Sequence, residues 1–342
     1  MQIVRFFVTL LIAFVFVPSV DAQNVRLKVA TMAPDGTLWM KEMQKAAEEI
    51  KERTEGRVSF RFYPGGTMGT DTAVLRKIRI GQLHGGVILA GSLADIDPDF
   101  EIYSLPLLFR SYGEVDYVRE KMDQILVDGL AEKGYVAFGL TETGFTYLLS
   151  AKPNRTFADL KGRKTWMMQD DPVSLAIVEA AGLSPVPLPI SDVLTGLQTG
   201  LIDTVAVPPV GAIALQWFTK AKYLTDLPIT YVSGTMILSS KAFSRISAGD
   251  QKIVGEVLRR ANKALDETSR SDNEEARKAL VKQGVEFVNP TDETYGKWEE
   301  IAAAATKKLI AQRNYDPASI AMIESLVEAY RAQQTSGEAA GD

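Results

Sequence analysis

The sequence runs to 342 residues, 46% hydrophobic and 24% charged, which is enough apolar material for two packed lobes and excludes a disordered chain. Its 38 basic and 43 acidic residues leave a net charge of −5 with no run of Lys or Arg, so no nucleic-acid partner is expected. One histidine and no cysteine exclude disulfides, the usual zinc ligand sets and His-dependent nucleophiles, so neither a metal nor a cofactor nor catalysis is expected.

In chain order, Arg5 precedes an apolar run, Phe6 to Val17, and then a short stretch ending on the small residue Ala22. This reads as a secretory signal cleaved after about Ala22, because the run is shorter than the roughly 20 residues a bilayer needs. With no Cys after the cut, a lipid anchor is not expected, and periplasmic export is. Val25 to Ala30 alternates as a strand, and Met40, Met43, Ala47 and Ile50 recur at helical spacing. Val58 to Phe62 alternates again and closes on Pro64-Gly65-Gly66; a helix through Leu75 and Ile78 and a buried strand Gly86 to Ala90 follow. The pattern predicts an α/β fold with a substantially parallel sheet.

The middle repeats this alternation. Tyr135 to Leu140, Phe145 to Leu149, Lys164 to Met168, a short piece at Val186 and Leu201 to Val207 read as strands. Asp159 to Gly162, Pro172 to Ala181 and Ile190 to Thr199 read as helices. Two successive α/β patterns predict two lobes. After a strand at Tyr231 to Ser239, Ile253, Val257, Ala261 and Leu265 mark a long one-sided helix from Ala248 to about Ala279. Helices Asp292 to Arg313 and Pro317 to Gln333 and a frayed tail close the chain.

Local chemistry motifs are weak. His84 stands alone among glycines, and the loop Gly65 to Thr70 lacks the Lys of a phosphate loop. Asp95, Asp97 and Asp99 start like a calcium loop, but Phe100 stands where Gly is needed and Pro106 where Glu is needed.

Five segments in order carry a family resemblance: Thr31-Met32-Ala33-Pro34-Asp35-Gly36, Tyr63-Pro64-Gly65-Gly66-Thr67-Met68-Gly69, Leu105-Pro106-Leu107-Leu108-Phe109-Arg110, Asp159-Leu160-Lys161-Gly162-Arg163-Lys164 and Gly196-Leu197-Gln198-Thr199-Gly200-Leu201-Ile202-Asp203. Together they resemble the DctP-type solute-binding subunits of TRAP transporters, from about Leu27 to about Val288. The resemblance implies a two-lobed α/β periplasmic binding protein of type II-like form, with crossing strands and a long bracing helix. It implies delivery of a small solute to TRAP membrane permease subunits, and no catalysis. In some relatives with an apolar cleft it brings a periplasmic tetratricopeptide partner. The lobes it implies are 23–144 plus 232–270, and 145–231 plus 271–334 with the C-terminal helices, between the signal 1–22 and the tail 335–342.

Three departures from the family pattern bear on the ligand. Trp166 stands where the family carries an Arg that clamps a carboxylate, Thr146 stands where a second Arg is frequent, and Asp203-Thr204-Val205-Ala206-Val207-Pro208 replaces a polar stretch. A carboxylate buried without a cation costs several kcal/mol. The expectation is therefore an apolar or aromatic-faced solute held by Trp39, Phe145, Trp166, Met168, Val205 and Val207, with hydroxyl contacts from Thr37 and Thr146. The alternative is an organic acid held by a relocated cation, Arg163 or Lys164. Alternation puts Arg163 on the opposite strand face from Trp166. A periplasmic enzyme on the same scaffold is a third reading, limited to carboxylates, Lys, Tyr and Ser for its chemistry.

Overall fold

The structure is a computed structural model that describes residues 24–168 and 171–339. The secretory-signal reading therefore lies outside the described residues. The first half builds β1 (Val25–Ala30), α1 (Leu38–Arg53), β2 (Val58–Tyr63), α2 (Asp71–Arg79), β3 (Gly85–Leu89), α3 (Ala90–Leu93), α4 (Tyr112–Glu132) and β4 (Tyr135–Ala137). Next come β5 (Thr141–Ser150), β6 (Lys164–Met168), α5 (Pro172–Ala180), β7 (Ser184–Leu188), α6 (Val193–Thr199), β8 (Thr204–Val207) and α7 (Pro209–Ala214). The chain ends with β9 (Tyr223–Ser239), α8 (Ser240–Phe243), α9 (Ala248–Lys282), β10 (Glu286–Val288), α10 (Asp292–Arg313) and α11 (Pro317–Ala339). Thr37, Thr70, Ser111, Ser247 and Thr291 start α1, α2, α4, α9 and α10, each accepting a first-turn backbone N–H with its hydroxyl.

The strands form one sheet in the order β2-β1-β3-β9-β5-β8-β6-β7, with β4 and β10 pairing β9 outside that path. Pairing is parallel within each half (β2-β1-β3 and β8-β6-β7) and antiparallel where β9 and β5 join them, so the sheet is mixed rather than substantially parallel. The reason is topological: two parallel units share long strands that must run back across the molecule.

The boundaries differ from the sequence reading where polar or proline residues hide a strand. β5 begins at Thr141 because Thr141 and Glu142 pair with Gly234 and Ser233, and β9 begins at Tyr223 despite Pro228. Pro228 fits because β5 and β9 form no pairs between Thr225 and Thr230, so no ladder hydrogen bond is lost. α11 extends to Ala339, past the Gln333 limit expected from the sequence. The helix α4 has no counterpart in the sequence reading, although Ser111 followed by Glu114 is a capping pattern and Val115, Val118, Met122 and Leu126 form its buried stripe.

At the join of the two halves a charge network is buried. Glu142 on β5 accepts from the Tyr231 hydroxyl at 2.7 Å and from Arg270 Nε at 2.6 Å, and its own backbone N–H donates to Asp266 at 2.8 Å. Arg119 of α4 lies 2.9 Å from both Asp123 and Asp266 and 3.7 Å from Glu142, whose side chain is fully buried. Removing one partner strands carboxylates in a dry setting, so Arg119→Met is expected to lower unfolding free energy by about 3 kcal/mol or more. Urea unfolding measures this; a loss below about 1 kcal/mol would mean that water already screens the network.

Candidate functional site

The loop after β1 sets one wall of the principal cavity. Gly65 and Gly66 donate their backbone N–H groups to Ala33 and Thr31, which fixes Thr31 to Pro34 beside the carboxyl end of the strand. Thr37 then caps α1, accepting from Met40 while donating to Pro34 at 2.8 Å, so its hydroxyl is already engaged at both ends. Trp39 follows on the first turn. The opposite wall is α7, which starts at Pro209 directly after β8 and is tied to α9 by the Val210 N–H donating to Asn273 at 3.2 Å. The same Asn273 donates to Thr143 of β5 at 2.9 Å, which couples helix, strand and wall.

Between these walls lies a cavity of about 340 Å³. Met32, Pro34, Trp39, Leu89, Val210 and Ala214 supply apolar surface; Thr141, Thr143, Ser269, Asp71 and Asp272 supply polar groups, while Glu142 borders the cavity with its carboxylate turned to Tyr231 and Arg270. No Lys or Arg stands among its described lining residues. Burial raises the Asp71 carboxyl above the usual range, although the Leu89 N–H donates to it at 3.0 Å.

A second chamber of about 580 Å³ lies between the halves, with Thr72, Ser92 and Asp95 on one side and Met167, Asp171, Pro172 and Leu175 on the other. Arg313, the last residue of α10, is the one cation among its described lining residues. Its Nε donates to Glu101 at 3.1 Å, and the Tyr315 hydroxyl donates to the same oxygen at 2.7 Å. Asp171 is spent on capping α5, where it accepts from Val173 and Ser174.

A family model described as "Bacterial extracellular solute-binding protein, family 7", DctP, matches residues 29–313. The chain belongs to that family. It is a solute-binding protein and not an enzyme. Among curated relatives, the 2,3-diketo-L-gulonate-binding periplasmic protein YiaO of Escherichia coli (strain K12) is 24% identical over 276 residues, covering 80% of this chain and 83% of YiaO. The DctP fold recurs in a TRAP periplasmic solute-binding protein from Xanthobacter autotrophicus Py2 with bound beta-D-galacturonate. Its TM-score is 0.80 at 21% identity, covering 88% of this chain and 99% of the other. DctP7 of Bordetella pertussis, a receptor binding pyroglutamic acid, matches with TM-score 0.80 and 21% identity over 90% of this chain and 99% of its own. The two-lobed α/β architecture with a long helix, here α9, is that of these proteins.

In this DctP-family chain the residues singled out from sequence do not gather in one place. Thr37 and Trp39 line the principal cavity. Trp166 is 7% exposed; its indole N–H donates to the Leu188 carbonyl at 3.0 Å, and its ring meets Trp217 edge to face at 5.2 Å. Val205 and Val207 are buried in the same cluster, and Met168 packs against it from the end of β6. Phe145 sits between the rings of Tyr112 and Tyr231 at 4.9 and 5.6 Å, and Thr146 shares a hydroxyl contact of 2.8 Å with Thr230.

The other face of β6 behaves differently: Met167 fronts the second chamber. Arg163, on the Met167 face but at the amino end of the strand, donates to Asn154 at 3.2 Å and to the Pro153 carbonyl at 3.3 Å. Lys164 donates to the Gly200 carbonyl at 2.8 Å. Met32, Val210, Asp272 and Arg313 are not among the site residues read from the sequence. The one available signal was Pro208-Pro209, which marks a helix start at a strand end.

Proposed function

We propose that this chain is the periplasmic solute receptor of a TRAP transporter and that its guest is a small molecule with an apolar or aromatic face, seated against Trp39. The observation that carries the ligand class is the absence of Lys and Arg from the described walls of the 340 Å³ cavity. An anion there meets no compensating cation, whereas each 100 Å² of apolar contact contributes about 2.5 kcal/mol. Differential affinity for a closed form then gives the permease subunits a state to recognise. A periplasmic tetratricopeptide protein is the accessory partner this reading implies.

A second reading, an organic acid, is favoured by the solved relatives, whose names record galacturonate and pyroglutamic acid; they speak for an acid more directly than for an apolar guest. In this chain the acid would lie in the second chamber beside Arg313, since Arg163 is held by Asn154 and Pro153.

Thermal unfolding with a panel of uronic and other organic acids, aromatic compounds and terpenoids decides between them. A guest at a hundredfold its Kd stabilises by about 2.7 kcal/mol. Stabilisation by aromatic or terpenoid compounds, lost in Trp39→Ala, is the expected result. Stabilisation by acids alone, lost in Arg313→Ala and kept in Trp39→Ala, transfers the assignment to the second reading.

A further inference from the structure

The pole of lobe 1 that faces away from the cleft carries a second kind of site. β3 enters the sheet at Gly85 and reaches the cavity at Leu89, and β9 runs antiparallel to it, with Leu238 opposite Gly85. The connections at the Gly85 end therefore cluster far from the cavity: the turn from α2 into β3, the turn from α4 into β4, and α8. Between them lies a pocket of about 400 Å³ whose lining includes Arg79, His84, Lys133, Lys241 and Arg245.

The four Lys and Arg residues are all exposed, and among the described residues none of them forms an ion pair or a side-chain hydrogen bond. Asp97 feels the Lys133 charge but does not line the pocket, and no acidic residue does. In a chain of net charge −5 this is a local inversion of sign. His84 lines the pocket but is tied to β1: its Nδ1 accepts the Lys28 N–H at 3.0 Å, and the ring also hydrogen-bonds the Arg26 backbone. Burial, with Lys28 and Arg245 nearby, holds its pKa below the usual value against the opposing hydrogen bond to the Arg26 backbone. At the rim, Ile80 is 72% exposed.

We infer that this pocket binds a phosphate-class oxyanion. Four unpaired cations supply charge-assisted donors from three separate connections, the arrangement that a group with several acceptor oxygens and multiple negative charge satisfies. Phosphate or pyrophosphate in solution and the headgroup of an anionic phospholipid share this chemistry.

The test measures binding of pyrophosphate by titration calorimetry, and of vesicles of phosphatidylcholine with and without phosphatidylglycerol by flotation, both at low salt. Lys241→Gln and Arg245→Gln, singly and together, are the variants; both side chains are exposed, and unchanged thermal midpoints confirm that the fold is intact. Affinity should fall about fivefold for each cation removed and decline with added salt. Binding to phosphatidylglycerol vesicles without pyrophosphate binding assigns the pocket to a headgroup, and the converse assigns it to a soluble phosphate. If neither probe binds, or the double variant binds as the parent does, the inference is overturned.

Discussion

Trp39→Ala is expected to weaken binding of the solute by about thirtyfold or more. The indole is the largest apolar body on the wall of the 340 Å³ cavity, and the remaining apolar surface comes from smaller side chains such as Met32, Leu89 and Val210. Truncating a central aromatic anchor typically costs about 2 kcal/mol or more of binding free energy, and each 1.4 kcal/mol is a tenfold change in Kd. Stability should change much less than affinity, because Trp39 is only partly buried and packs at the margin of its cluster. Titration calorimetry with the panel compound that stabilises the parent most reads the affinity. An unchanged Kd with an aromatic ligand would remove the guest from this cavity.

Trp166→Arg is expected to damage lobe 2 rather than restore a carboxylate clamp. The indole at this position is enclosed with Trp217, Val193, Leu197 and Val205, and its N–H is already committed to the Leu188 carbonyl. A guanidinium in that space has no carboxylate partner among these neighbours, and loss of the large ring leaves a void. Large-to-small changes of buried aromatics alone cost about 3–5 kcal/mol, and an unpaired buried charge adds to that. The measurement is urea unfolding followed by tryptophan fluorescence. A variant as stable as the parent that gains affinity for an organic acid would place residue 166 at the cleft instead.

The fold was largely legible because its signal is local. Alternation in Val25 to Ala30 and Lys164 to Met168 gave strands with the observed limits, and the spacing of Ile253, Val257 and Leu265 located α9. The site was less so, since it is assembled from segments remote in sequence: the loop after β1, the end of β3, β5, α7 and the middle of α9. Period-two alternation told that Trp166 and Met167 face opposite ways, but which side meets solvent space is decided by the turn that brings Trp217 against β6. Arg313 likewise had no motif to announce it; its place beside Met167 and Asp171 follows from the packing of α10 on α5.

The interrupted ladder between β5 and β9 has a mechanical consequence. Register shifts fall between Glu142 and Gly144 and again between Thr146 and Leu148, so the pairing of the two strands that carry the chain between the halves is broken into three short ladders. Beside the first shift stands Gly144, whose φ of +103° suits glycine and whose missing side chain leaves room for Asn273 and the Tyr112 hydroxyl. A change of angle between the halves taken up at these breaks would leave the parallel pairs of β2-β1-β3 and of β8-β6-β7 whole, so its energy would be set by what closure gains on the guest.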